Sequence, residues 1–158
     1  MFFTPPTQPN ILIVDANESE LKALKIGFEL EGFSVFAVST VVEMNRVLQS
    51  RKVAIALIDL MMPEKNGLQI ARDLRDAHPG VSTVLMSAYH LSPLQLARAN
   101  TGAVGFVPKP FRFEDLVQFI RNKITAGSKT VSAPPAPAPA TPRSGSTLFL
   151  PFDVPETA

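Results

Sequence analysis

Five times between Ile11 and Gly127, a short apolar run is followed by a segment with apolar residues at helical spacing. No other feature of this sequence constrains its fold as tightly. The runs are Ile11–Val14, Val35–Val38, Ala54–Ile58, Val81–Met86 and Val104–Val107. Each is too short for a helix and nearly continuous in apolar residues, as strands buried on both faces are. Between them, Asn17 opens a helix, and Glu20 three residues on completes a capping-box pattern. Leu21, Leu24 and Phe28 follow at helical spacing, and Gly32 reads as the glycine that ends the helix. A second helix is expected over Val41–Arg51. A third follows the Pro63…Gly67 turn, with Leu68, Ile70, Ala71 and Leu74 on one stripe, and His78-Pro79-Gly80 stops it. A fourth covers Leu91–Asn100, with Pro93 tolerated in its first turn. Phe113, Leu116, Val117, Ile120 and Ile124 form the stripe of the last. Repeated strand–helix units with right-handed crossovers give an α/β fold, a doubly wound parallel sheet with helices on both faces.

Proline marks where that pattern stops. Ten of the 15 prolines lie in the first ten residues or from Ser128 onward, whereas seven of the eight glycines lie between Ile11 and Gly127. The expected organisation is therefore an extended tail over residues 1–10, one domain over 11–127, a Pro/Ala-rich linker over 128–146 and an apolar segment over 147–158. The linker composition favours polyproline II and a semi-rigid spacer. The end segment, Thr147-Leu-Phe-Leu-Pro-Phe-Asp-Val154, reads either as a disordered tag or as a piece that docks on a groove or sheet edge, in its own chain or on a second copy.

Charge and cysteine usage exclude several classes. Fifteen basic and 14 acidic residues give a net charge of +1, which is no electrostatic footprint for nucleic acid or a membrane surface. Absence of cysteine excludes a disulfide framework, thiol chemistry and a zinc–thiolate site. No stretch approaches the length of a membrane span, and the start lacks the features of a signal peptide, so a cytoplasmic location is expected.

In a doubly wound sheet, ligands bind beyond the carboxyl ends of the strands. Asp15 follows the first strand, Asp59 the third, Ser87 the fourth and Lys109 the fifth. Taken singly, each has an ordinary explanation. Asp15 suits the end of a strand or a helix cap, Ser87 suits a turn, and a lone lysine is usually solvated. Asp59 is harder to dismiss, because a carboxylate among Ala-Ile-Ala-Leu-Ile and Leu-Met-Met is costly to bury without a partner. Together, two carboxylates, a hydroxyl and an ammonium at one edge suit a divalent cation and a phosphoryl group.

Four segments resemble the receiver domains of bacterial two-component response regulators, of the chemotaxis type. They are Ile11-Leu-Ile-Val-Asp15, Asp59-Leu-Met-Met-Pro63-Glu-Lys-Asn-Gly67, Val84-Leu-Met-Ser87-Ala88-Tyr89 and Gly105-Phe-Val-Pro-Lys109-Pro110-Phe111. The resemblance covers roughly Ile11 to Thr125. It implies a flavodoxin-like (βα)5 sandwich with strand order 2-1-3-4-5. It implies that Asp59 accepts a phosphoryl group from a histidine kinase or phosphotransfer protein. Asp15, Asp59 and the backbone carbonyl of Met61 would hold Mg²⁺, and Lys109 would contact the phosphoryl oxygens. Ser87 would hydrogen-bond the phosphoryl group and let Phe106 rotate inward, changing which target protein the last strand and its flanking helices bind. It further implies a cis Lys109-Pro110 bond and is compatible with a homodimer.

One position departs from the family pattern. The family carries two adjacent acids after the first strand, and here the pair is Asp15-Ala16. A methyl group offers no oxygen, so weaker Mg²⁺ binding is expected. Three readings follow: a phosphorylated receiver with weakened Mg²⁺ affinity, a pseudo-receiver that binds partners without phosphate, or an enzyme using Asp59 on a small phosphorylated substrate. The third lacks a visible second acid–base group, so the chain is read as a phosphate acceptor capable of self-dephosphorylation rather than a dedicated enzyme. No helix-turn-helix pattern or basic face is present, so action by protein contact, without direct DNA binding, is expected of a stand-alone regulator. Loss of an output domain beyond the linker is the alternative.

Overall fold

The computed structural model describes residues 8–128 and 150–151. Expectations for residues 1–7, for the linker, and for Leu148, Phe149 and Phe152–Val154 lie outside the described residues. The elements in chain order are β1 (Asn10–Val14), α1 (Glu18–Leu30), β2 (Ser34–Val38), α2 (Val41–Ser50), β3 (Ile55–Asp59), α3 (Gly67–Ala77), β4 (Ser82–Ser87), α4 (Pro93–Ala99), β5 (Gly105–Pro108), α5 (Phe113–Ser128) and β6 (Leu150–Pro151). Strand order is β2-β1-β3-β4-β5-β6. The first five strands are parallel and give the expected order 2-1-3-4-5. β6, which no periodicity announces, lies antiparallel on the β5 edge.

Element bounds move by a residue or two from the sequence reading, as helix and strand ends commonly do. Asn10 joins β1 and Ser128 ends α5, one residue outside the expected domain on each side. Asp59 and Ser87 are the last residues of their strands rather than the first residues beyond them. Gly32 has φ +93, a conformation that favours glycine. Its N–H donates to the Glu29 carbonyl at 3.0 Å, and Phe33 N–H donates to the Phe28 carbonyl at 3.0 Å. That pair of bonds is a Schellman closure, and it turns the chain from α1 into β2.

Alternation along the strands divides the core into two layers. Ile11, Ile13, Ile55, Leu57, Val84, Met86 and Val107 face α1 and α5, where Leu21, Leu24, Phe28, Leu116, Val117 and Ile120 meet them. Leu12, Val14, Ala56, Ile58, Leu85 and Phe106 face α2, α3 and α4, where Met44, Leu48, Ile70, Ala71, Leu74 and Leu96 meet them. Both sheet faces are thus covered, which is why the strand sequences carry no polar alternation. Phe28 is fully buried and makes edge-to-face contacts with Phe33 and Phe113, at centroid distances of 5.7 and 5.2 Å. These contacts fix α1 and the start of α5, the two elements that flank the site.

Candidate functional site

The carboxyl ends of β1, β3 and β5 bring Asp15, Asp59 and Lys109 together. Lys109 Nζ lies 3.0 Å from Asp15 Oδ2 and 3.0 Å from Asp59 Oδ2. It also lies 2.6 Å from Glu20 Oε2, on the first turn of α1. Three carboxylates therefore share one ammonium, in a pocket that grades from closed to open. The side chain of Asp15 is 1% exposed, that of Asp59 13% and that of Glu20 47%.

Local chain geometry aims the two aspartates. Asp15 Oδ1 accepts from Asn17 N–H at 2.8 Å, and Asp59 Oδ1 accepts from Met61 N–H at 2.9 Å. Each aspartate thus spends one oxygen on the backbone two residues ahead and turns the other toward Lys109. Asn17 in turn caps α1, its Oδ1 accepting from Ser19 and Glu20 N–H. The expected capping box is not reciprocal. Asn17 N–H is taken by Asp15 and the Glu20 carboxylate by Lys109, a charged donor and so a stronger partner than a backbone N–H.

The loop after Asp59 is held close by Gly67. A Cβ there would lie 2.6 Å from Leu60 Cα and 2.7 Å from the Asp59 carbonyl oxygen. Gly67 N–H donates to the Leu60 carbonyl at 3.0 Å, and Leu60 N–H to the Met86 carbonyl at 2.9 Å. Asp59 is thereby anchored from both sides without its carboxylate being covered.

Ser87 stands at the end of β4, 1% exposed. Its carbonyl accepts from Lys109 N–H at 2.8 Å, so β4 positions the lysine backbone. Its hydroxyl accepts from Tyr89 N–H at 2.9 Å. Phe106 is buried, among Leu85, Leu96 and Ala103. The Lys109-Pro110 bond is cis. Met61 meets Asp59 through its N–H, while its side chain is exposed.

Burial and pairing act oppositely on the charges. Burial pushes the Asp15 carboxyl above the ordinary aspartate value, and hydrogen bonds from Asn17 N–H and Lys109 only partly offset it. Burial pulls the Lys109 ammonium down, but hydrogen bonds to Glu20, Asp59 and Asp15 outweigh it and hold the lysine above its ordinary value. Lys109 is therefore a fixed positive charge at physiological pH.

Glu20 is the site residue that sequence reading missed. The signal lay in topology: α1 leaves directly from the carboxyl end of β1, so an acid in its first turn stands at the ligand-binding edge. Carboxylate oxygens of Asp15, Glu20 and Asp59 lie within 4.8 Å of one another. Three hard oxygen donors at that spacing fit a divalent cation.

A doubly wound sheet with aspartates at the ends of β1 and β3 and a lysine after β5 defines the receiver class. A family model described as the response regulator receiver domain matches residues 11–121. The chain belongs to that family, and its domain is a receiver of two-component signalling. It is 31% identical over 111 residues to the transcriptional regulatory protein GlrR of Escherichia coli (strain K12), a match covering 70% of this chain and 25% of GlrR. It is 30% identical over 117 residues to the aerobic respiration control protein ArcA of the same strain, covering 74% of this chain and 49% of ArcA. The match thus spans a quarter to a half of these two regulators. Among solved structures, a CheY-like receiver domain protein from Methanospirillum hungatei JF-1 is similar at a TM-score of 0.71 and 25% identity, covering 77% of this chain and 97% of that one.

Proposed function

We propose that this chain receives a phosphoryl group on Asp59 and passes the signal on by changing its protein contacts. The observation that carries the reading is Lys109 Nζ at 3.0 Å from Asp59, beside a second aspartate at 3.0 Å. In the transfer, an Asp59 carboxylate oxygen attacks phosphorus, the bond to the donor nitrogen or oxygen breaks, and an acyl phosphate forms. Lys109 then faces two kinds of oxygen, those of the carboxylates and those of the new phosphoryl group. Asp15, Asp59 and Glu20 would hold Mg²⁺, Glu20 standing in for the acid absent at Ala16. When bound, the cation would neutralise charge developing on the phosphoryl oxygens.

The donor is a histidine kinase or phosphotransfer protein. A groove of about 600 Å³ beside Lys109, lined by Ala23, Leu24, Ile26, Gly27, Phe111 and Phe113, gives it an apolar approach. Ile26 and Leu30, 49% and 83% exposed, extend that apolar surface along α1. The readout lies at β5, where Phe106 is three residues before Lys109. The chain is read as contacting a target protein in the cytoplasm, without binding DNA directly. No helix among the described residues is long and apolar enough to cross a membrane. It is read as an acceptor capable of self-dephosphorylation rather than a dedicated enzyme.

Ala16 supports a second reading. With no oxygen at that position and Lys109 already bonded to all three carboxylates, the lysine serves as the resident counterion of a module that binds partners without phosphate. Incubation with acetyl phosphate and Mg²⁺, followed by intact mass, separates the two. The phosphoryl mass gain in the natural chain and its absence from Asp59→Asn is the expected result. No gain at any Mg²⁺ concentration supports the second reading.

A further inference from the structure

β5 would be an open edge of this sheet were it not for Leu150–Pro151. Leu150 lies opposite Phe106 and Pro151 opposite Gly105, antiparallel in an otherwise parallel sheet. A bare edge strand presents unpaired N–H and C=O groups and invites a strand from another molecule. We propose that the C-terminal segment is an intramolecular cap of the β5 edge, which keeps other strands off it and ties the tail to the strand that delivers Lys109.

Tether length argues for the chain's own tail as the occupant. Residues 129–149 connect α5 to β6. Twenty-one residues reach up to about 65 Å as polyproline II. The 16 residues of α5 rise about 24 Å, so the tether is long enough to bring the tail back along the domain. A tether that can span its sites makes the second contact intramolecular, which favours the chain's own tail over a second copy at micromolar concentration. The tail's own sequence suits a cap. Leu150 continues an apolar run, and Pro151 has no N–H to offer a further strand.

The capped strand is also the strand that positions the site. Gly105 and Phe106 carry the cap, Phe106 is buried against Leu85 and Leu96, and Lys109 follows Pro108 directly. If cap release shifts β5, it and occupancy of the acidic pocket are reciprocally linked. A target or second copy that adds a strand to β5 must first displace the tail.

The chain has no cysteine, so the double variant Phe106→Cys/Leu150→Cys carries its only two thiols. Directly opposed residues of an antiparallel pair have Cα atoms about 4.5–5.5 Å apart, within disulfide range. Mild oxidation of the full chain at low micromolar concentration is expected to give a disulfide-linked monomer, independent of protein concentration. Disulfide-linked dimers would assign the edge to a second copy, and no cross-link would remove the cap altogether; either result overturns the proposal. Phe106 is a core residue, so hydrogen exchange provides a reading that leaves it intact. In the full chain, Leu150→Asp is expected to speed exchange of the amides over 104–107 about tenfold, with β1 and β3 unchanged. Equal exchange in the two proteins would likewise overturn the proposal.

Discussion

The inner and outer halves of the acidic pocket are built on one plan in two environments. Asp15 and Asp59 each give one oxygen to the N–H two residues ahead and the other to Lys109 Nζ, at closely similar distances. They differ in water. Asp15 is sealed, with 1% of its side chain exposed, while Asp59 keeps 13% and opens toward half-exposed Glu20. The same bonding therefore leaves a sealed carboxylate on one side and one with water access on the other. Access, rather than hydrogen-bond pattern, separates the two.

The strongest way to break that distinction is to exchange the roles. Asp59→Asn is expected to abolish phosphoryl incorporation from acetyl phosphate, whereas Asp15→Asn only slows it, as read by intact mass over time. Equal loss in both would mean that the two halves act as one unit. Next in size is the shared cation. Lys109→Met keeps the aliphatic stem but leaves three acids facing one another. Breaking a fully buried pair costs about 3 kcal/mol or more. Water on the Glu20 side reduces this to about 2 kcal/mol at pH 7, read by urea denaturation. A smaller effect separates Glu20 from Ala16. Glu20→Gln is expected to weaken Mg²⁺ binding about tenfold by calorimetry, and Ala16→Asp to tighten it by a similar factor. If Glu20→Gln leaves Mg²⁺ binding unchanged, Glu20 belongs to Lys109 alone.

These outcomes bear on what the sequence could and could not reveal. The strands were legible because each is apolar on both faces; Ile11, Leu12, Ile13 and Val14 are all fully buried. Asp15, Asp59 and Lys109 were legible because strand ends in such a sheet share one edge. The absent acid at Ala16 was visible too, but the place of Glu20 at the site was not. Glu20 satisfies a local capping rule, and local rules say nothing of a lysine 89 residues away. β6 was legible in part. Docking of the apolar end segment on a groove or sheet edge was one of two readings, and Leu150–Pro151 lies on the β5 edge; a two-residue strand has no periodicity to name that edge or its register.

The smallest predicted effect tests the sealed half alone. Burial raises the Asp15 carboxyl above the ordinary value of 3.8, so in the folded protein it binds a proton more readily than in the unfolded chain. That preference favours the folded state at low pH and is lost as pH rises through the folded value, leaving a charged Asp15 as a net cost near pH 7. Asparagine keeps an oxygen for Asn17 N–H, and Lys109 retains Asp59 and Glu20. Asp15→Asn is therefore expected to be slightly more stable than the natural chain at pH 7. That advantage should fade as pH falls through the raised folded value toward 3.8. Urea midpoints for the two proteins across that window measure it. If the variant is instead less stable at pH 7, attraction to Lys109 outweighs burial at Asp15. The inner acid would then be a structural ion pair rather than a charge kept in place at the expense of stability.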